Sequence, residues 1–160
     1  MITKSQLPTH RAVNALLVTA DVISSSPKLR AEAPLALTVY KDPSCRCCYA
    51  WARHMTAQGF TVRIIETANV NAVKARLGVP DKLASCHTAE IGGYAIEGHV
   101  PAPAIMRLLA EKPTARGLAV PGMPAGSPGM EAGSRKTYEV ILFGDSGEKT
   151  YARYQGAQEI

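Results

Sequence analysis

The chain has 160 residues, 46% of them hydrophobic, and its 18 basic and 13 acidic side chains give a net charge of +5 at pH 7. This length suits one domain with a sizeable core, and the composition excludes collagen, coiled coils and fully disordered chains. The basic residues are dispersed and are not interleaved with aromatic residues, so no binding of nucleic acid is expected. The 4 cysteines are too few for a disulfide-dense scaffold, and their positions carry most of the functional information.

The first 33 residues have the layout of a secretory signal. Basic residues up to Arg11 precede an apolar run over 12–23, and residues 31–33 read Ala-Glu-Ala, a small-x-small pattern. Asp21 lies inside the apolar run, so the signal is a degenerate one. The run is too short and too polar for a membrane span, which needs about 20 apolar residues. The sequence predicts a signal peptide or disordered leader over 1–33 and a mature domain over 34–160 without a membrane span.

Strand and helix patterns alternate through the first part of the mature domain. Apolar, partly β-branched runs predict strands over 35–40 and 60–65. Helical spacing predicts a helix over 47–58 that begins after a cap at Asp42 or Ser44 and has Cys48, Trp51 and Met55 on its core face. A shorter helix is predicted over 69–77, with an inner face formed by Val70, Val73 and Leu77.

The second part of the domain predicts two hairpins around a helix. Strands over 87–91 and 94–96 are joined by a tight turn at Gly92-Gly93, and a helix follows over 101–111. Residues 117–133 read as a Gly/Pro/Met loop, and the last hairpin pairs strands over 138–143 and 149–154. This order favours an α/β fold, a thioredoxin-like sandwich with a central mixed sheet and flanking helices.

Three of the four cysteines, Cys45, Cys47 and Cys48, lie together at a predicted strand-to-helix turn. Amide groups and the positive end of the helix dipole stabilise an anion there, which lowers the pKa of a thiol and improves it as a nucleophile and as a metal ligand. Cys86 lies far away in sequence, in Ser-Cys-His-Thr. If the segment over 81–88 folds back beside the helix, the four sulfur atoms converge.

Several interpretations of these thiols remain open. Closely packed thiolates suit copper(I), whereas zinc is less favoured because structural zinc sites use paired ligands at both ends and adjacent Cys47 and Cys48 chelate one tetrahedral ion poorly. Cys45 and Cys48 also form a C-x-x-C pair, the spacing of thiol–disulfide exchange at a helix start. The proline expected before a strand opposite such a pair is not evident. Ordinary disulfides or buried free thiols are the remaining alternative.

Histidines and methionines form a second set of candidate ligands. His87 and His99 are predicted at turns, where a neutral imidazole can bind a metal or tune a thiolate, or can simply hydrogen-bond to the loop backbone. Met123 and Met130 belong to a repeated Pro-Gly-Met triplet, and their thioethers are soft donors that equally well fill gaps under a loop. The loop itself is predicted to cover the site.

Several motifs taken together resemble one bacterial protein family over about residues 35–154. They are Tyr-Lys-Asp-Pro-Ser-Cys-Arg-Cys-Cys over 40–48 with Trp51, Ser-Cys-His-Thr over 85–88, Gly93-Tyr94, Glu-Gly-His-Val-Pro over 97–101, and the Pro-Gly-Met stretches within 117–130. With these motifs the chain resembles the CopG-like periplasmic copper-resistance proteins, a family long catalogued as a domain of unknown function. The resemblance implies a thioredoxin-like fold that holds a multinuclear copper(I)–thiolate cluster and switches to disulfide-containing forms.

Carried over residue by residue, the resemblance makes Cys45, Cys47, Cys48 and Cys86 the cluster ligands, with His87, His99, Met123 and Met130 as secondary candidates. The resulting hypothesis is a copper(I)-binding, redox-active periplasmic protein of copper tolerance that works with copper-efflux or other copper-handling proteins. If the leader is not a signal, the chain is cytoplasmic. The alternative is a thioredoxin-like thiol–disulfide oxidoreductase using Cys45 and Cys48; any enzymatic activity is expected to be thiol or copper redox chemistry.

Overall fold

The structure, a computed structural model, describes residues 35–160, so the predicted leader over 1–33 lies outside the described residues. Its strands are β1 Ala36–Lys41, β2 Thr61–Glu66, β3 His87–Ile91, β4 Tyr94–Glu97, β5 Gly117–Ala119, β6 Thr137–Gly144, β7 Gly147–Gln155 and β8 Gln158–Glu159. Its helices are α1 Arg46–Ala57, α2 Val70–Arg76 and α3 Ala102–Glu111, with a short 3-10 helix at Asp81–Leu83. Within residues 35–160, no helix has the length and apolar character needed to cross a membrane.

One mixed eight-stranded sheet organises these elements in the order β2-β1-β3-β4-β5-β6-β7-β8. β1 pairs in parallel with β2 and β4 in parallel with β5, and the other neighbours are antiparallel. The predicted α/β class with a central mixed sheet is therefore confirmed. The register places His87 at the start of β3 opposite Lys41 of β1, and Thr88 opposite Glu97 of β4. The C-terminal ends of β1 and β4 and the N-terminal end of β3 therefore lie side by side.

The predicted core face of α1 is confirmed. Cys48, Trp51 and Met55 are fully buried, as their helical spacing requires. The indole nitrogen of Trp51 donates a hydrogen bond of 3.0 Å to the carbonyl of Val100, just before α3. This bond links α1 to the segment between β4 and α3, so it fixes the position of the helix that follows the cysteine segment.

Local expectations differ from the structure at three places. The side chain of α2 that is buried with Val70 is Lys74, whereas Val73 and Leu77 are only half-buried. Residues 117–119, predicted as loop, form β5, because this short segment completes the sheet between β4 and β6. The two-residue β8 was not predicted either, since so short a strand has no periodicity of its own.

The start of α1 also differs from expectation. Asp42 accepts hydrogen bonds of 2.8 Å from the Ser44 amide and 2.5 Å from the Ser44 hydroxyl, so both residues stabilise the preceding turn instead of capping the helix. Cys45 takes the N-cap position and, among the described residues, its side chain makes no capping hydrogen bond. The first amides of α1 therefore face the cysteine segment, where they favour negative charge on sulfur.

Candidate metal centre

The C-x-x-C pair forms a disulfide in this structure. Cys45 and Cys48 are bonded to each other, while Cys47 and Cys86 are free thiols. Cys48 is buried on the core side of α1, and Cys45 is partly exposed at its N-cap. An incoming reagent therefore meets the Cys45 sulfur of this disulfide before the Cys48 sulfur.

The four cysteine sulfurs converge as the sequence predicts. All of them lie within 4.8 Å of one another, although Cys86 comes from the start of β3 and the other three from the start of α1. Cys47 is central, because its Sγ lies 3.5 Å from the Sγ of Cys45 and 3.8 Å from the Sγ of Cys86. The β1–β3 pairing produces this meeting, since it brings the residue before β3 next to the turn that follows β1.

The Cys86 thiol occupies a partly buried, sulfur-rich environment. Burial, followed by the neighbouring Cys47, raises the pKa of Cys86 to about 12. The metal-free thiol is therefore protonated at neutral pH, and its S–H is available to donate to the imidazole of His99, whose Nε2 lies 3.2 Å away. A metal ion that binds this sulfur must displace the proton.

Both predicted histidines form a second group with Cys86, the sulfur that this group shares with the four cysteines, and both are fully buried. His99 Nδ1 lies 2.8 Å from the carbonyl oxygen of Pro128, and because a carbonyl only accepts, Nδ1 carries the proton and Nε2 presents its lone pair to Cys86. Burial lowers the pKa of His99, although the bond to Pro128 opposes that shift. The ring is therefore held neutral, in the tautomer that suits a metal ligand or a hydrogen-bond acceptor.

His87 does not lie at a turn but is the first residue of β3, as the strand predicted over 87–91 has it, and its ring packs against Trp51 with 4.5 Å between centroids. Its Nδ1 lies 3.4 Å from the Cys86 sulfur. Its Nε2 is buried and has no hydrogen-bond partner among the described residues. Burial, with smaller contributions from His99 and Lys74, lowers the pKa of His87 well below its usual value.

The Gly/Pro/Met loop covers the cluster, and it brings one of its two predicted methionines into contact. Met123 Sδ lies 3.9 Å from Cys47 Sγ, although half of the Met123 side chain remains exposed. Met130 closes a turn inside the loop through its amide, which donates to Ser127 O at 2.8 Å, and no contact of its sulfur with a cysteine is found among the described residues. Gly129 packs directly on the backbone of α1 beside Trp51.

A buried ion pair behind Cys86 was not predicted. Lys74 Nζ lies 2.5 Å from Glu97 Oε1, and Glu97 is fully buried. The same carboxylate accepts hydrogen bonds of 2.6 Å from the Ser85 amide and from the Thr88 hydroxyl. The available signals were weak: Lys74 lies four residues after Val70 on the same helix face, and Glu97 follows an apolar strand.

This fold and these sulfur atoms define an α/β domain suited to binding a soft metal ion or to exchanging disulfides. Residues 83–130 match the family described as "Protein of unknown function, DUF411". Two solved structures named as the copper resistance protein CopG share 48% identity with the chain. Form 1 has a TM-score of 0.73 and form 2 of 0.72, with alignments covering 78% and 76% of this chain. They cover 100% and 99% of those chains, so the protein belongs to the CopG copper-resistance family. No curated protein matches it.

Proposed function

We propose that the protein binds copper(I) through Cys45, Cys47, Cys48 and Cys86 when the Cys45–Cys48 disulfide is reduced, and that it serves copper tolerance. The observation that carries the proposal is the convergence of four cysteine sulfurs within 4.8 Å of one another. The relatives at 48% identity are named as copper resistance proteins. Reduction of the disulfide consumes two electrons and two protons and yields two thiols, which lose their protons when they bind the metal.

Copper(I) fits this donor set better than zinc does. The sulfur atoms of Cys45, Cys86 and Met123 lie 3.5, 3.8 and 3.9 Å from Cys47 Sγ, and that of Cys48 lies within 4.8 Å. A central thiolate of this kind is suited to bridging several soft ions, which supports a multinuclear copper(I)–thiolate cluster. A tetrahedral zinc site also takes four thiolates but needs them to point at one centre, which adjacent Cys47 and Cys48 do poorly.

Further donors complete the proposed site. The Nε2 lone pair of His99 faces the Cys86 sulfur, and His87 Nδ1 lies 3.4 Å from the same sulfur. Met123 is a soft donor at the solvent side, and Met130 is kept as a weaker candidate because no described contact links it to a cysteine. Cysteine, histidine and thioether ligands all suit copper.

The cellular setting follows from the same hypothesis. We propose that residues 1–33 are a leader that exports the domain over 34–160 to the periplasm, where copper-efflux or other copper-handling proteins receive the metal. The domain is proposed to be thioredoxin-like. Its strand order β2-β1-β3-β4 supports this, with β1 and β2 parallel, α1 between them and β3 and β4 antiparallel.

An anaerobic copper(I) titration of the reduced full chain tests the proposal, with elemental analysis of the protein as purified. The copper(I) stoichiometry should fall in Cys86→Ser and stay unchanged in Ser146→Ala, which alters an exposed serine of the turn between β6 and β7. An unchanged stoichiometry in Cys86→Ser contradicts the four-thiolate site. Stoichiometric zinc that copper(I) does not displace contradicts the choice of metal.

The Cys45–Cys48 disulfide supports a second candidate function, thiol–disulfide exchange. A dithiol donor would attack the partly exposed Cys45 sulfur, the Cys45–Cys48 bond would break, and Cys48 would leave as a thiolate near the start of α1. The second thiol of the donor would then displace Cys45, which leaves the donor oxidised and the pair reduced. Cys86, not a proline, precedes β3 at the position that faces the pair, which favours the metal site. Insulin reduction no faster than in buffer would rule this second function out.

A further inference from the structure

The turn that carries Cys86 lies between two regular elements. The short 3-10 helix ends at Leu83, and β3 begins at His87. Two polar bonds hold the turn. The Ser85 hydroxyl donates to the carbonyl of Gly122 in the covering loop, and the Ser85 amide donates to Glu97 Oε1 at 2.6 Å. The position of the fourth sulfur therefore depends on what holds Ser85.

Glu97 has several hydrogen-bond partners that fix its side chain. It is fully buried at the end of β4, and its carboxylate accepts hydrogen bonds from Lys74, Ser85 and Thr88. Thr88 in turn accepts a bond of 3.0 Å from Lys74 Nζ, so each member of this network has a partner. The network spans α2, β3, β4 and the cysteine turn.

Stability alone does not account for this arrangement. Replacing a buried ion pair by apolar groups is often neutral or stabilising, because both charges must be taken out of water. What an apolar pair cannot supply is an acceptor for the Ser85 amide. Packing reinforces the contact, because a Cβ on Gly98, the residue after Glu97, would lie 2.7 Å from the Ser85 side chain. Ser85 therefore lies between the Glu97 carboxylate, which accepts from its amide, and the backbone of Gly98.

We infer that Glu97, with its charge balanced by Lys74, is a positioning residue that sets the place of the Cys86 sulfur through the Ser85 amide. The inference rests on the proposed copper site for its functional meaning, because Cys86 is the one cysteine there that does not come from the α1 segment. Without the bond to Ser85, the turn moves away from Cys47 and the cluster keeps three well-placed thiolates.

Two charge-neutral variants test whether position 97 must offer an oxygen acceptor to the Ser85 amide and the Thr88 hydroxyl. Lys74→Met/Glu97→Gln removes both charges and keeps an amide oxygen for the Ser85 N–H, whereas Lys74→Met/Glu97→Ala removes the acceptor as well. Glu90→Gln is the matched control, because Glu90 also pairs with a basic residue of α2, Arg76, but does so from β3 at the partly exposed surface. Each full-length variant is compared with the wild type in copper(I) affinity and in the alkylation rate of Cys86, followed by peptide mass spectrometry of the reduced, metal-free protein.

The Ala double variant should bind copper(I) about tenfold more weakly and expose Cys86 to alkylation about tenfold faster, which is the loss expected when a buried amide is left without its acceptor. The Gln double variant should restore both properties, and Glu90→Gln should leave both unchanged. Equal behaviour of the two double variants would overturn the inference. If neither the wild type nor any variant binds copper(I), the proposed function fails, while the alkylation rates still decide the positioning role.

A measurement on the unmodified protein guards against a double variant that does not fold. The Ser85 amide should exchange its hydrogen as slowly as the amides of β3, because its acceptor is buried and fixed. Exchange at the rate of an exposed loop would refute the positioning role without any substitution.

Discussion

Gly129 offers a direct test of how the covering loop is seated on the cysteine helix. Its φ is +85°, and a Cβ there would lie 2.7 Å from the Trp51 backbone nitrogen and 3.1 Å from the Cys47 carbonyl oxygen. Backbone atoms of a helix cannot yield as a flexible side chain can, so Gly129→Ala must lift the loop from α1. The same contact holds the loop over the sulfur cluster, so stability and the site are perturbed together.

The magnitude follows from two contributions. Forcing an alanine into the left-handed region costs about 1–2 kcal/mol, and overpacking against fixed atoms costs about 1–3 kcal/mol more. Gly133 is the matched control, because its φ is +96° and a Cβ there meets nothing within 4 Å. Gly133→Ala should therefore be destabilised only by the cost of the left-handed conformation. Gly129→Ala should be less stable than this control by about 1–3 kcal/mol, the cost of overpacking.

Urea unfolding measures the difference in free energy. Trp51 is the sole tryptophan of the sequence and is fully buried at this contact, so its fluorescence reports the transition. With a slope of about 2 kcal/mol per molar urea, the midpoint of Gly129→Ala should fall about 0.5–1.5 M below that of Gly133→Ala. Midpoints that agree within about 0.2 M would show that the loop does not press on α1.

Three further results are expected. In the metal-free protein at pH 8, Cys86 should react with iodoacetamide at least about tenfold more slowly than a cysteine in a model peptide, because its pKa is raised to about 12; an equal rate contradicts the buried environment. Met123→Leu should weaken copper(I) binding by about tenfold in a chelator competition, whereas the exposed Met106→Leu should not; equal effects would remove Met123 from the site. Trp51→Phe should lower the free energy of unfolding, followed by circular dichroism, by about 1–3 kcal/mol. This loss should exceed that of Tyr94→Phe, which also removes one bond to a carbonyl but from a half-buried site. The reverse order contradicts the role given to Trp51.

The elements that the sequence predicted correctly are those with a local periodic signal. The helix that carries Cys45, Cys47 and Cys48, the strands on either side of it and the Gly92-Gly93 hairpin all follow from spacing within a few residues. The convergence of Cys86 was anticipated as a conditional statement, because it requires β3 to pair with β1. That pairing joins residues about 50 positions apart, and neither segment carries a local sequence pattern that predicts it.

The features that were missed are those decided by distant partners. The burial of Lys74 was not predicted, because lysine rarely lies inside a protein and its burial makes sense only beside Glu97, 23 residues later. The burial of His87 against Trp51 was also missed, because the β-sheet register that buries it is set elsewhere in the chain. β5 is a strand because it pairs with β4 and β6, whereas its own three residues carry no pattern that predicts a strand.

The apolar core and the candidate site are held by different forces. Core residues such as Trp51 and Met55 fix the helix, but Cys86 and His99 lie in segments without regular structure, where apolar contacts do not define a direction. Directional bonds do so instead, because the Ser85 amide donates to Glu97 and His99 Nδ1 donates to the carbonyl of Pro128. Since a buried ion pair adds little net stability, loss of the Glu97 network should disturb the sulfur geometry more than it disturbs the fold. A variant can then remain folded with a misplaced fourth ligand, so metal binding and unfolding must be measured separately to locate the function.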